Sequence, residues 1–397
     1  MALINKIIQV RRTSEVNNDI RDFSERFKPK KDVTPKNISL PFSSVLELNR
    51  KYLFDEFKLD DLIFAVTDKC PFRCKTCFYA DTMDAKNEED VYGMSLYEIE
   101  KISLSLGNFG KLLLTGGEPF LRRDIAELCA IFYHNNNVRH IHLPTNALKP
   151  KIIKENVEKI LEYCPVINLG VSISIDGLHE THTEIRGVKE SFGKLIETAH
   201  ALGELREKYD NLRLNIITVV NNLNITEIND LAQFVKKNLP IDSHSPIPVR
   251  GNPYDQYIRP PSKEEWDKIS KELLDLQEHW NTKRDENFFK RKLRTNTEKH
   301  LYKVIGDVIA GDGLPFECKA GKTIGVLEAN GDVRLCELKE VVGNVKNFDY
   351  DFKKVWFSER AEKVRKTVPG CSCTHPCFIN NSRRVGLLPP VQTALGG

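Results

Sequence analysis

The first chemistry legible in the chain is carried by Cys70, Cys74 and Cys77, spaced C-x3-C-x2-C on the loop Asp68–Tyr79. The loop follows an apolar run, Leu62-Ile63-Phe64-Ala65-Val66-Thr67, that reads as a strand. Three thiolates on one short loop can converge on a single soft metal centre, and cysteine is the usual ligand of iron–sulfur clusters. Zinc sites usually recruit four protein ligands, commonly as two separated C-x2-C-type pairs. Three cysteines leave one iron of a cubane open, and an open iron can bind a substrate or cofactor directly. For the triplet alone, a zinc knuckle or a chance cluster is the competing reading.

A second stretch, Lys111 to Pro119, is an apolar strand running into Gly116-Gly117-Glu118-Pro119. Two glycines let the backbone approach a ligand closely. Glu118 offers an anionic acceptor to an ammonium group, and Pro119 stiffens the turn. Alone this could be an ordinary turn; after a three-cysteine loop, at the end of the next predicted strand, it is specific.

Together, C-x3-C-x2-C and the following Gly-Gly-Glu-Pro resemble the radical S-adenosylmethionine (radical SAM) superfamily. The resemblance implies a 4Fe–4S cluster on Cys70, Cys74 and Cys77, and SAM held by its methionine amino group at Gly116, Gly117, Glu118 and Pro119. It also implies reductive cleavage of SAM to methionine and a 5′-deoxyadenosyl radical that takes hydrogen from an unactivated carbon. An electron donor such as flavodoxin or ferredoxin is then a partner.

The wider chain must position these loops. A length of 397 residues suffices for two or three domains and a large core. A formal charge of +3 is small for that size and gives no global field for nucleic acid or a membrane. No apolar run approaches the roughly 18 residues of a spanning helix. The start, Met1 to Arg12, lacks the h-region and cleavage site of a signal peptide and reads as a flexible arm or docking segment. Of ten cysteines, three sit on the first loop and five lie beyond residue 312. With no export signal in the sequence, this grouping points to metal ligation in a reducing cytoplasm rather than disulfides. Cys129 and Cys164 stand alone and read as buried core thiols.

Residues 1–55 are polar and broken by prolines, with no recognisable domain. From 56 to 260, strands near 62–67, 111–115, 139–143, 168–175, 212–220 and 241–247 alternate with helices near 95–106, 122–135, 151–162, 189–208 and 225–237. Six such βα units predict an α/β fold, a partial (β/α)6 TIM-like barrel, as in the resembled superfamily. Active sites on these sheets gather at the carboxyl ends of the strands, where both signature loops fall.

In the fourth strand, alternation sets Val171, Ile173 and Ile175 on one face and Ser172, Ser174 and Asp176 on the other. Superfamily members often place a polar side chain here against the SAM ribose, which singles out Ser174; filling of a polar barrel interior competes with that role. Thr145-Asn146 and Asn215 are similar candidates. The stretch Gly177–Gly187 resembles a loop common in the SPASM/Twitch branch of the superfamily, and its Arg186 could pair with a carboxylate such as that of SAM. His179 and His182 read as surface groups, with a proton-transfer role as the alternative. His244 and Arg250 fall where substrate contacts, and hence catalytic candidates, are expected.

Residues 261–312 read as two charged helices; the basic cluster Lys290, Arg291, Lys292 and Arg294 is a solvated face rather than a nucleic-acid site. Residues 313–378 hold Cys318 and Cys336 around a hairpin turn, Ala329-Asn330-Gly331-Asp332, then a helix near 352–367 and Cys371, Cys373 and Cys377. This resembles the small α+β auxiliary-cluster domain of the SPASM/Twitch branch, in the shortened form with one additional 4Fe–4S cluster and four ligands. Either Cys371 or Cys373 is then spare; as a bare pattern, a zinc site also fits. Residues 379–397 form a tail.

Two positions depart from the superfamily pattern. Thr76 stands before the third cysteine, where an aromatic residue often positions the adenine; Phe78 or Tyr79 is a substitute. The compressed C-x-C-x3-C is the other. The expected reaction is a net oxidation or electron relay, assisted by the auxiliary cluster, on a polar small molecule such as a sugar. A peptide-modifying maturase is the alternative. An iron–sulfur electron carrier or zinc scaffold is the non-enzymatic one, which Gly116–Pro119 disfavours.

Overall fold

The structure is a computed structural model that describes residues 17–27, 57–80, 93–283 and 288–385. Most of the expected arm 1–55, and the tail beyond Val385, lie outside the described residues. Where the arm is described, helix α1 (residues 17–26) lays a fully buried Phe23 against Tyr97, ring centroids 5.1 Å apart.

Six parallel strands follow in sequential order: β1 (Asp61–Ala65), β2 (Lys111–Thr115), β3 (His140–Thr145), β4 (Asn168–Ser174), β5 (Leu212–Val220) and β6 (Ser243–Pro248). Each hydrogen-bonds to the next, and β6 does not return to β1, so the barrel is open. Helices α2 (Leu96–Leu106), α3 (Ile125–Asn135), α4 (Pro150–Tyr163), α5 (His179–Arg186), α6 (Ser191–Lys208) and α7 (Ile228–Asn238) occupy the connections. The expected partial barrel is the fold observed.

Local sequence explains the boundaries. Ser95 and Glu98 form a capping box at the start of α2. Pro150 opens α4 at a position where its missing N–H is not needed. Gly187 ends α5 in the left-handed conformation, at φ +74°.

Alternation then divides the barrel. Leu212, Leu214 and Ile216 of β5, with Ile141 and Leu143 of β3 and Val171 and Ile173 of β4, are buried in the main apolar core with the surrounding helices. The other face is polar. Ser172 Oγ lies 2.9 Å from His142 Nε2, Asn215 Nδ2 donates to Ser172 Oγ at 3.1 Å, and Ser243 Oγ donates to Asn215 Oδ1 at 2.7 Å. A hydrogen-bonded chain thus crosses β3 to β6 on the inner face.

The cysteine-rich segment extends this sheet. Strand β7 (Ile324–Leu327) pairs in parallel with β1, and β8 (Asp332–Arg334) and β9 (Val341–Asn344) add antiparallel strands beyond it. The expected pair of charged helices is α8 (Lys263–Lys283) and α9 (Phe288–Ala310). The helix expected near 352–367 is two short ones, α10 (Phe352–Trp356) and α11 (Glu359–Arg365), interrupted at Phe357–Ser358, where Ser358 caps α11. A last helix, α12 (Pro376–Val385), runs past residue 378. Its Phe378 joins Ile63, Leu113, Ile324 and Val326 in a second apolar cluster, and Arg384 reaches Asp60 and Asp61 at 2.5 and 2.6 Å.

Candidate functional site

The cysteine loop and the Gly-Gly-Glu-Pro turn leave the carboxyl ends of neighbouring strands and are bonded main chain to main chain. Gly117 N–H donates to Thr67 O and Glu118 N–H to Lys69 O, both at 2.8 Å. Such closeness excludes side chains. A Cβ on Gly116, which sits at φ +123°, would lie 2.2 Å from Thr67 O, and one on Gly117 would lie 1.9 Å from Lys69 O. The glycines expected to let backbone near a ligand therefore also let it near the cysteine loop.

Three further main-chain bonds hold the loop. Lys75 N–H donates to Ile185 O at 2.8 Å; Tyr254 N–H donates to Cys77 O and Asp255 N–H to Lys75 O, both at 3.0 Å. Cys70, Cys74 and Cys77 are free thiols. Burial pushes the Cys70 thiol up to about 12 and that of Cys74 to about 11, and raises Cys77 as well. The three repel one another as thiolates, which marks them as neighbours. Thiols so placed are protonated near neutrality and lose their protons to solvent when a metal binds.

One buried cation faces them. Arg186 Nε lies 2.7 Å from Asp176 Oδ2, and Nη1 donates to Cys74 Sγ at 3.7 Å. Burial opposes its charge, but Asp176 and Cys74 outweigh that and hold the guanidinium pKa above its ordinary value. Asp176 Oδ1 is fixed by the Val219 N–H at 2.8 Å. His182, expected at the surface, is buried in α5, and its Nδ1 accepts from Asp176 N–H at 3.2 Å. The stretch read as a loop is this helix. Its signal was present in the spacing of His182 and Ile185, which both turn inward.

Glu118 is buried. Oε1 accepts from Thr145 Oγ1 at 2.9 Å and Phe120 N–H at 3.2 Å, and Oε2 from Asn146 N–H at 2.7 Å. Burial pushes its carboxyl up to about 7 despite these donors. The Asn146 amide Nδ2 is buried without a hydrogen-bond partner. Pro71, Glu118, Asn146 and Leu148 border one small crevice. An anionic acceptor with spare capacity and an unsatisfied donor at one crevice suit an amino-acid moiety, so the donor set fits SAM. Ser174 ends β4 half-buried, on the face of Ser172.

The second cysteine group belongs to the segment whose strand β7 pairs with β1. Burial raises the thiol pKa of Cys318, of Cys336 (to about 12) and of Cys373 (to about 11). Cys318 is next to Cys371 in its electrostatic surroundings, Cys336 to Cys373 and Cys318, and Cys373 to Cys318 and Cys371. Cys377 feels Lys111, Glu337, Arg250 and Asp61 first among charged groups. All five thiols are free, and Cys318, Cys336, Cys371 and Cys373, which are neighbours, are soft donors that fit an iron–sulfur cluster. Among the described residues, no three His, Cys, Asp or Glu side chains are gathered as a single metal ion requires.

A polar network that sequence reading missed links the two groups. Glu337, beside Cys336, is bonded to His375 Nε2, lies 3.8 Å from Arg250 Nη2 and accepts from Tyr79 Oη at 3.4 Å. Arg250 also stands over the Phe78 ring, 5.1 Å from its centroid. Glu337 and His375 carried no spacing signal, because their partners are distant in sequence. Arg250 is thus at the site, between the cysteine groups. His244 is not. It lies on the outer face of β6, with Nε2 2.8 Å from Thr218 Oγ1 and its ring against Trp280, since alternation turns Ser243 and Ser245 inward instead.

Residues 64–235 match the family described as the Radical SAM superfamily, and that part of the chain is a radical SAM domain. A GTP 3′,8-cyclase of Pseudomonas entomophila is 30% identical over 214 residues, covering 51% of this chain and 59% of that protein. An Fe-coproporphyrin III synthase of Methanosarcina barkeri is 25% identical over 178 residues, 44% of this chain and 40% of that one. The chain thus spans about half the length of the curated relatives it matches. Among solved structures, Streptococcus suis SuiB bound to S-adenosylmethionine aligns at TM-score 0.54 with 17% identity, covering 82% of this chain and 73% of that one. The protein anSMEcpe with bound AdoMet and a peptide aligns at 0.51 with 20% identity, covering 77% and 82%. At these identities the structural likeness establishes the fold.

Proposed function

We propose that this protein is an enzyme that uses Cys70, Cys74 and Cys77 to hold a 4Fe–4S cluster and the Gly116–Pro119 turn to hold SAM. A second 4Fe–4S cluster would be held by four of the five later cysteines: Cys318, Cys336, Cys377 and, in preference to Cys371, Cys373. When bound and reduced, the first cluster with SAM supplies a 5′-deoxyadenosyl radical that takes a hydrogen atom from substrate, and the second accepts or relays an electron. The chain's own part is positioning. Glu118 Oε2 offers an acceptor to the SAM ammonium, Asn146 Nδ2 a donor to its amino-acid end, and Ser174 a hydroxyl to its ribose. Phe78 offers an aromatic face to the adenine. Burial of these groups excludes water from a reactive radical.

The observation that carries this reading is the bonding of the three-cysteine loop to the Gly-Gly-Glu-Pro turn through Thr67 O and Lys69 O. An electron carrier or a zinc scaffold has no use for an amino-acid-binding turn fused to its metal loop. A polar small molecule, a sugar among them, is the proposed substrate class. The inner face of His142, Ser172, Asn215 and Ser243 supports it, because these hydrogen-bonded side chains make that wall of the barrel polar rather than apolar. Arg250 is the proposed substrate contact. The enzyme is expected in the cytoplasm, served by a flavodoxin- or ferredoxin-type donor. Among the described residues no helix is long and apolar enough to cross a membrane.

The test is anaerobic incubation with SAM, dithionite and a panel of sugars, nucleotides and peptides, following substrate-dependent 5′-deoxyadenosine. Stimulation by a polar small molecule is expected. Stimulation by peptides alone would make the protein a peptide maturase.

A further inference from the structure

Five charged or polarisable groups face Arg186 from three elements, Cys70 among them. Asp176 follows β4, Cys74 and Cys77 lie on the loop after β1, and Glu118 is in the turn after β2. The side chain is 11% exposed and Asp176 is fully buried. The other cations of the cysteine loop are engaged differently: Lys75 lies 2.8 Å from Glu184, Lys69 lies 3.9 Å from Asp68, and Arg73 Nη1 donates to Phe72 O at 3.1 Å. Arg186 Nη1 donates to the ligand sulfur Cys74 Sγ at 3.7 Å, and Arg73 adds a second positive charge near Cys77.

From this we infer that Arg186 is a positioning residue that raises the reduction potential of the cluster on Cys70, Cys74 and Cys77, and that Asp176 opposes it. The inference rests on the reading that these cysteines hold a 4Fe–4S cluster. Cluster potentials follow net charge, hydrogen bonds to sulfur and solvent exposure. Reduction adds one electron, taken from an external one-electron reductant, to a centre already surrounded by three thiolates; no bond forms or breaks. A guanidinium held against one of those sulfurs stabilises the added negative charge, and little water is present to screen it. Asp176 aims the guanidinium and, as a nearby anion, partly cancels its field. The two residues therefore act with opposite signs, which a merely structural pair would not do.

The experiment is a redox titration of anaerobically reconstituted full-length protein. It follows the reduced-cluster EPR signal that changes when SAM is added, with iron content measured in parallel. Arg186→Gln is expected to move the midpoint to more negative potential, Asp176→Asn to more positive potential, and Arg186→Lys to stay nearest the parent. If Arg186→Gln fails to load iron, a positive shift in Asp176→Asn with Arg186→Lys close to the parent supports the inference, and an unshifted Asp176→Asn overturns it. Unchanged midpoints in iron-replete variants overturn the inference, as does a loss of SAM affinity with no shift, which would make Arg186 a SAM ligand. A parent protein with no SAM-responsive signal would instead overturn the cluster reading itself.

Discussion

The two cysteine groups are held in different ways. The first is a contiguous loop pinned by main-chain bonds to the Gly116–Glu118 turn, to the end of α5 and to residues 254–255. The second is assembled from the ends of a hairpin and the segment leading into α12. Side chains do much of the holding there: Ser382 Oγ accepts from Lys319 N–H at 2.8 Å, and Glu337 meets His375. A backbone-held site is sensitive to anything that changes backbone approach and tolerant of its neighbours' side chains. A side-chain-held site is the reverse. Arg250, Glu337 and Tyr79 couple the two.

Gly117→Ala should produce the largest effect that leaves every cysteine in place. Its Cβ would fall 1.9 Å from Lys69 O, so the turn and the cysteine loop must separate. Iron should drop from about eight per chain toward about four, with SAM cleavage lost. Full iron content in this variant would break the contrast between backbone-held and side-chain-held sites.

Cys377→Ala and Cys371→Ala sharpen the second half of the comparison. The first is expected to empty the later site, leaving about four irons; the second should keep about eight. Loss of iron in Cys371→Ala would make Cys371 the ligand in place of Cys373, which the nearness of Cys371 to Cys318 makes a fair trial. Stoichiometric zinc with little iron in a variant lacking Cys70, Cys74 and Cys77 would make this region a structural clip.

Glu118→Ala should weaken SAM binding by about 1.5–3 kcal/mol, the range for a hydrogen bond to a charged group, without changing iron content. The parent should show the matching pH dependence in calorimetry. Glu118 must be ionised to hold an ammonium, and burial raises its carboxyl to about 7, so affinity should fall as pH drops through that value. A flat profile would remove Glu118 from the site.

Much of this was readable in advance because local rules governed it. Strand β5 was readable as 212–220 because its alternation is unbroken, and Leu212–Val220 is the strand observed. The helix over His179–Arg186 was hidden by its polar composition and short length; tertiary contacts with Asp176 and Phe192 stabilise it. His244 misled because a one-residue offset along β6 moves a side chain to the other face. Glu337 and His375 were illegible since each depends on a partner 38 residues away. Cys129 and Cys164 are core thiols, as their apolar neighbours implied.

The central claim is tested most directly by 5′-deoxyadenosine formation from SAM under strict anaerobiosis with dithionite, comparing the parent with the triple variant Cys70→Ala, Cys74→Ala, Cys77→Ala. The parent should form 5′-deoxyadenosine, and the triple variant should form none while keeping the iron of its later cysteines. Continued 5′-deoxyadenosine formation without the three thiols would contradict the account.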